Sequence, residues 1–456
     1  MSRINIFIDF GSTYTKMAAF DLDNEELLAR IQVPSTVDVD ITAGLEDAFT
    51  ELSKEIKIGA EDRRRAIACS SAAGGLRVVC VGLVKEYTTE AGRLAALGAG
   101  AKIVGEFSYD LSAGELDEIE EMDPDIVLLT GGTDGGNKKV IVRNASLLAR
   151  AGENIRNIIV AGNKSAYDDI HAIFGDSKKN VIFTKNVMPE IGTLNVGPTN
   201  CVIRELFINR ITEAKGITKA KKIIGDVIMP TPSAVLEAAK LLAEGTTKCP
   251  GLGELLVVDV GGATTDVYSV AMGFSSKKAV HIVGLPEPYI KRTVEGDLGL
   301  YHNLVNLQEL AQAESVPEHF EEIVEDLRRN REIMYDDTRV EVHLLLSRLA
   351  VDTAVTRHVG RIEMIVTPGG DMPVQRGKDL TAVKNVIGSG GAISFSPQPK
   401  DVLEGALFRD TEQHILKPIA PQLVLDERNI LFSVGLLAGT DSVKALSIGR
   451  KYLRYL

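Results

Sequence analysis

Leu255-Leu256-Val257-Val258-Asp259-Val260-Gly261-Gly262-Ala263-Thr264-Thr265-Asp266-Val267-Tyr268 carries more structural information than any other run of this 456-residue chain. Four apolar residues end on a carboxylate, a Gly-Gly turn with two hydroxyls follows, and Val267 to Val270 takes the chain back. This is the pattern of a hairpin from a buried sheet. Asp259 falls at the strand end, and Gly261 and Gly262 let the backbone come within hydrogen-bonding range of a bound anion. Exposed N–H groups around Ala263, with Thr264 and Thr265, can hold phosphate oxygens, while Asp259 can hold Mg2+ through water. The reading is a nucleotide-phosphate site.

The same design opens the chain. Ile4-Asn5-Ile6-Phe7-Ile8-Asp9-Phe10-Gly11-Ser12-Thr13-Tyr14-Thr15-Lys16 again runs from apolar strand to Asp, Gly and hydroxyls, and Met17-Ala18-Ala19-Phe20 resumes the strand. One Asp-x-Gly turn after a strand is a common hairpin, and two copies in one chain are much harder to dismiss. A third element, Val386-Ile387-Gly388-Ser389-Gly390-Gly391-Ala392, comes late, where a glycine-rich turn can lie against a flat base and ribose.

This ordered set resembles the actin, Hsp70 and sugar-kinase ATPase superfamily, in which two phosphate hairpins come from two domains and an adenosine loop follows the second. Between the hairpins, Val227-Ile228-Met229-Pro230-Thr231-Pro232-Ser233-Ala234 is similar to the connecting segment of Hsp70-type members. There a glutamate before the Pro-Thr/Ser-Ala run positions the attacking water. Thr231 stands in that place here, so the resemblance implies slow hydrolysis or another residue in the role.

Composition agrees with such an architecture. A chain of 456 residues holds two to four domains, each with its own core. A hydrophobic fraction of 45% and a charged fraction of 25% are ordinary for a soluble globular protein. The net charge of -12 is spread along the chain, which argues against a nucleic-acid groove. Short basic runs such as Arg63-Arg64-Arg65 read as solvated faces. No apolar run approaches a bilayer span, and Met1-Ser2-Arg3 leads straight into a strand, so neither a membrane nor a cleavable leader is expected. Cys69, Cys80, Cys201 and Cys249 lack metal-ligand spacing and suit reduced thiols in a cytoplasm.

Along the chain, Thr42 to Ile56 reads as an amphipathic helix with Leu45, Ala48, Phe49 and Leu52 on one face. Strands at Ala66–Cys69, Arg77–Leu83, Lys102–Phe107, Ile126–Thr130, Ile158–Ala161 and Val181–Phe183 then alternate with helices. That alternation predicts a parallel sheet covered on both faces. Helices follow at Thr199–Lys215, at Ser233–Glu244, at Glu318–Tyr335 and at His343–His358, with a closing helix in the tail. The expected fold is therefore α/β: a two-lobed actin/Hsp70-like (ribonuclease H-like) ATPase with an inserted α/β domain in the first lobe. Its expected parts are residues 1–62 (first lobe, first phosphate hairpin), 63–190 (insertion) and 191–248 (rest of the first lobe with the connecting segment). Residues 249–435 form the second lobe, with the second hairpin and the adenosine loop, and 436–456 a helix returning to the first lobe.

Two glycine-rich stretches, Cys69-Ser70-Ser71-Ala72-Ala73-Gly74-Gly75-Leu76 and Leu129-Thr130-Gly131-Gly132-Thr133-Asp134-Gly135-Gly136, follow strands at their carboxyl ends. The other nucleotide signatures are missing: there is no Gly-x-x-x-x-Gly-Lys-Ser/Thr loop and no Gly-x-Gly-x-x-Gly opening a helix. Nor is there an Asp-x-His-x-x-Gly motif that would ligate cobalt. Nearly end to end, the chain resembles the MutL or GlmL branch of the superfamily. The resemblance runs through Ile8 to Lys16, the two glycine-rich stretches, Val160-Ala161-Gly162-Asn163-Lys164 and Pro230-Thr231-Pro232. Members accompany adenosylcobalamin-dependent glutamate (methylaspartate) mutase and related aminomutases.

The resemblance implies an ATP-dependent reactivating chaperone that exchanges damaged cobalamin out of a stalled mutase. It implies a slow Mg-dependent ATPase that is not itself a mutase. ATP or ADP and Mg2+ are the implied cofactors, and the mutase is the implied partner. By the same resemblance Asp9 and Asp259 organise Mg2+, and Gly11, Ser12, Thr13 and Gly261, Gly262, Ala263, Thr264, Thr265 hold phosphates. Lys16 neutralises charge, and Gly388, Gly390 and Gly391 admit adenosine. Two other classes remain open: a small-molecule kinase with Asp266 or Asp297 as base, and an actin-like filament or scaffold. Glu295 and Asp297 are further candidates to face Mg2+ or the nucleophilic water.

Overall fold

A computed structural model describes residues 4–37, 39–71, 76–175, 177–213, 217–274, 280–312, 314–329, 337–368 and 370–456. The chain folds as two compact units, residues 1–70 with 215–283 and 289–456, and residues 71–214 with 284–288.

The first unit is built on two sheets of the same design. In one, β1 (Ile4–Phe10), β2 (Tyr14–Asp21) and β3 (Glu26–Pro34) form an antiparallel meander. β4 (Ile67–Ser70) and β5 (Asp226–Pro230) extend it in parallel on the far side of β1. In the other, β6 (Leu255–Val260), β7 (Thr265–Val270) and β8 (Ile290–Glu295) repeat the meander. β9 (Asn385–Ser389) and β10 (Gln422–Asp426) repeat the parallel extension. Both sheets thus run 3-2-1-4-5, and the second gains an antiparallel edge strand, β11 (Leu453–Tyr455). The strand at Ile67–Ser70, read in the sequence as the first of the inserted domain, pairs with β1 instead.

Each central strand is apolar on both faces, because each face meets a different core. Leu255 and Val257 point toward a cluster shared with Phe7, Ala18 and Phe20 of the first sheet, while Leu256, Val258 and Val260 point toward helices Leu304–Ala311, Phe320–Arg329 and Asp337–His358. The shared cluster is filled by α1 (Thr231–Glu244), α2 (Leu431–Ala438) and α3 (Ser442–Lys451). Nine of the fourteen α1 residues are buried, among them Ala234, Ala238 and Ala239, small enough to let the helix lie close to both neighbours. It begins at Thr231, two residues before the expected start, with proline in its first turn where the missing N–H costs nothing. The tail is two helices and an edge strand rather than one helix. Tyr452 Oη accepts from Leu27 N at 2.7 Å, so the tail is tied to β3 as well as to β10.

Helix Ile41–Glu55 lies where its periodicity placed it, with Leu45, Ala48, Phe49 and Leu52 buried. Leu45, Phe49 and Leu52 each contribute about 1.5–3 kcal/mol. A small three-stranded sheet, His281–Ile282, Arg361–Thr367 and Gly370–Arg376, was not anticipated.

The second unit carries a five-stranded parallel sheet of Arg77–Gly82, Lys102–Ser108, Ile126–Leu129, Asn157–Val160 and Asn180–Phe183 in the order 2-1-3-4-5. Its helices are Glu90–Gly98, Ala113–Glu121, Lys139–Leu148, Tyr167–Phe174 and Gly197–Glu213. The alternation of strand and helix was legible to within one or two residues at most ends. Residues 72–75 of the first glycine-rich stretch, residues 330–335 of the expected helix at 318–335 and residues 214–215 of the one at 199–215 lie outside the described residues. No described helix is long and apolar enough to cross a membrane.

Candidate functional site

Both hairpin turns close by one bond of the same kind. Gly11 N donates to Tyr14 O at 3.1 Å, and Gly261 N donates to Thr264 O at 2.9 Å. The other loop carbonyls are taken by bracing segments. Ser35 Oγ donates to Gly11 O at 2.7 Å and Ser35 N to Thr13 O at 2.9 Å. In the second hairpin Leu300 N donates to Gly261 O at 3.2 Å, and Tyr301 N and His302 N donate to Gly262 O at 2.9 and 3.1 Å. The amides fare differently: the N–H groups of Ser12, Thr13, Gly262, Ala263 and Thr264 donate to no acceptor among the described residues. Occupied carbonyls beside free N–H groups make two concave donor arrays suited to an anion.

The two arrays face one another. A side chain added at Gly262 would come within 2.6 Å of Thr13 Oγ1 from the other hairpin, so only glycine leaves room there. Thr13 Oγ1 is itself buried and has no hydrogen-bond partner among the described residues. Behind the hairpins, Lys16 Nζ lies 3.2 Å from Asp9 Oδ2, and Thr231 Oγ1 donates to Asp9 Oδ1 at 2.5 Å. Burial alone would lower the Lys16 ammonium, but Asp9 and Asp259 outweigh it and hold it above its usual value. Among the described residues Asp259 makes no ion pair of its own. Burial pushes its carboxyl up to about 7, with Lys16 pulling down and Asp266, Asp9 and Asp426 adding to the rise. Asp9 and Lys16 of the first hairpin and Asp259 of the second thus share one electrostatic site.

Gly390 stands against this site with φ +83°, and a side chain there would reach Asp259 Oδ1 at 2.4 Å. Gly391 opens the helical turn Gly391–Ser394. Gly388 sits inside β9, and Ile393 and Leu403 cover the place a side chain would take. The Thr265 hydroxyl donates to Leu298 O at 2.8 Å and braces the hairpin from within the core.

Asp266 is buried and ion-paired, its Oδ1 2.7 Å from Arg292 Nη2, and its Oδ2 accepts from Thr264 Oγ1 at 2.9 Å. Glu295 and Asp297 share Arg357, whose Nη1 reaches them at 2.6 and 2.8 Å. In the second unit the Gly131–Gly136 loop is pinned by Asn163, which accepts from Gly135 N at 3.1 Å and donates to Gly136 O at 3.1 Å. Asn186 Nδ2 donates to Gly132 O at 3.0 Å. The sequence reading missed Arg30, Arg292, Tyr301 and Asp426. Tyr301, beside Gly262, lies four residues after the candidate Asp297, and the other three lie on strands absent from the sequence reading.

Two 3-2-1-4-5 sheets whose first hairpins face each other define the actin-like, ribonuclease H-related class of fold. Within that class, the family model described as MutL protein matches residues 5–453. A curated relative, Protein MutL of Clostridium tetanomorphum, is 43% identical over 456 residues, covering 98% of each chain. The chain belongs to the MutL family. Among solved structures it is similar to nucleotide-free acetone carboxylase, at 14% identity and a TM-score of 0.41 over 96% of this chain and 70% of that one. It is also similar to component A of (R)-2-hydroxyglutaryl-CoA dehydratase from Acidaminococcus fermentans, at 12% identity and a TM-score of 0.31 over 99% of each.

Proposed function

We propose that the facing hairpins bind Mg-ATP and Mg-ADP, and that the protein is an ATP-dependent reactivating chaperone for an adenosylcobalamin-dependent mutase. The observation that carries the nucleotide half is the pair of donor arrays with the orphaned Thr13 hydroxyl between them. Their N–H groups and Thr13 would take phosphate oxygens, and Lys16 would balance their charge. Asp9 and Asp259 fit a hydrated Mg2+: both are carboxylates next to the arrays, and Asp259 is held near 7 without a partner cation. Held by Asp9 and Asp259, Mg2+ would offset the charge of the phosphates. The Gly390–Gly391 turn is where adenosine would lie.

Each array comes from a different sheet, so loss of one phosphate removes ties from one side of the cage and favours a different angle between the sheets. Membership in the MutL family and the resemblance to mutase-associated proteins support a protein partner, which the inserted α/β domain would touch. Thr231 in place of a glutamate supports slow hydrolysis. Asp266 is committed to Arg292, and Asp297 to Arg357, which leaves the kinase reading without a free base at either position. The test is phosphate release without an acceptor, measured with and without the mutase. The mutase should stimulate it, and Asp259→Asn should abolish both release and cofactor exchange while leaving the fold intact. Normal exchange by that variant contradicts the proposal; acceptor-dependent ADP production would point to a kinase, and pelleting with ATP to a filament.

A further inference from the structure

The cleft face of the first sheet carries a cation that the nucleotide reading leaves unused. Arg30 projects from β3, two residues before Gln32, the cross-strand partner of Lys16. Its Nη2 donates to Gln32 Oε1 at 3.0 Å, and its Nε is buried without an acceptor. The guanidinium lies over the ring of Phe395, 4.9 Å from the centroid. Phe395 belongs to the second sheet's side, closing the helical turn that Gly390 and Gly391 begin. Asp426, at the end of β10, supplies the opposite charge there. It is 1% exposed and accepts from Ile430 N, Leu431 N and Ser389 Oγ, each at 3.0 Å. Burial lowers Arg30 to about 10, with Asp426 and Asp9 opposing the drop. One side chain of the first sheet therefore stacks on a ring of the second and lies in the field of its Asp426, next to the turn that backs Asp259.

We propose that Arg30 is a latch across the cleft, a positioning residue whose stacking on Phe395 holds the Gly390–Phe395 turn against the first sheet and sets how long bound nucleotide is retained. The proposal rests on the nucleotide reading above for its ligand. A cation over an aromatic face is attractive, and more so away from water. Asp426 cannot follow a receding Arg30, because its oxygens cap α2 and hold Ser389. Opening of the sheets would break the contact outright, as expected of an interface with two discrete states.

The test is release of N-methylanthraniloyl-ADP with Mg2+ from the full chain, chased with excess ADP, for the wild type, Arg30→Met, Phe395→Leu and the double variant. Phe395 is 41% exposed, so each single change should speed release about two- to fivefold, the range a cation–π contact at an exposed site spans. The double should be no faster than either single, since both remove one contact. Arg30→Lys, which keeps the charge and loses the plane, should fall between the wild type and Arg30→Met. Unchanged rates in both singles, or effects that multiply in the double, would overturn the latch. A wild type that does not bind the probe would sink the nucleotide reading instead. Amide hydrogen exchange then decides: Arg30→Met must speed exchange across residues 390–396 in the nucleotide-free protein, and unchanged exchange there overturns the latch.

Discussion

The two hairpins close the same turn and carry opposite charge behind it. Asp9 and Asp259 occupy equivalent strand ends, yet their cross-strand partners are Lys16 in the first copy and Asp266 in the second. Asp9 is therefore neutralised inside its own hairpin, with Thr231 as a second donor. In the second copy the cation, Arg292, comes from the next strand and serves Asp266, so among the described residues Asp259 has no ion pair, and Lys16 of the first copy acts on it only through space. A duplicated scaffold has become asymmetric: one copy carries a closed ion pair, the other an open carboxylate. The lesson is that the turn positions the donors, while the residue opposite the aspartate decides which hairpin keeps an uncompensated carboxylate.

Breaking the second copy's internal pair should have the largest effect. Asp266→Asn leaves Arg292, 4% exposed, without its carboxylate and should cost about 3–5 kcal/mol in urea unfolding. A loss under about 1 kcal/mol would show that Arg292 has another adequate acceptor. Asp9→Asn removes the carboxylate that pairs with Lys16 and should cost less, about 2–3 kcal/mol, because Lys16 keeps some contact with water. It should also abolish nucleotide binding in calorimetry.

Asp259→Asn should go the other way in the nucleotide-free protein. The folded carboxyl titrates near 7, above its ordinary value of 3.8, so its contribution to stability is full below about pH 4 and drains away as pH rises through 7. Between pH 5 and pH 8 the wild type should lose about 2 kcal/mol that the variant does not, read from melting curves at both pH values. Equal pH responses would mean that Asp259 is already paired. The smallest effect comes from outside both hairpins and fixes the acid-side background. His343, 3% exposed, is lowered to about 4 by burial, so its contribution is intact above about 6.5 and is lost as pH falls toward 4. Replacing it with Gln should flatten a loss of about 1 kcal/mol at pH 5.5.

How much of this was legible follows from what is local. The hairpins could be read because an apolar run, an acid and glycines are contiguous, and helix Ile41–Glu55 because its apolar face repeats. β8 escaped because Ile290-Lys291-Arg292-Thr293-Val294-Glu295 looks like surface: Lys291 and Arg292 are buried only because His358 O and Asp266 await them across the fold. β3 and β10 were missed too, and with them Arg30 and Asp426. β4 was read as a strand, but which sheet takes a strand is set by partners distant in sequence, here β1 and β5. The site's chemistry shows the same divide: Asp9, Lys16 and Asp259 were named from motifs, while the Thr231–Asp9 bond spans 222 residues.

The account turns on both hairpins holding one triphosphate. A crystal structure with Mg2+ and a non-hydrolysable ATP analogue tests this most directly. The prediction is phosphates between the Ser12–Thr13 and Gly262–Thr264 amides, with Thr13 Oγ1 now bonded and the metal's water shell touching Asp259. A nucleotide bound to one hairpin alone, or away from both, would contradict it.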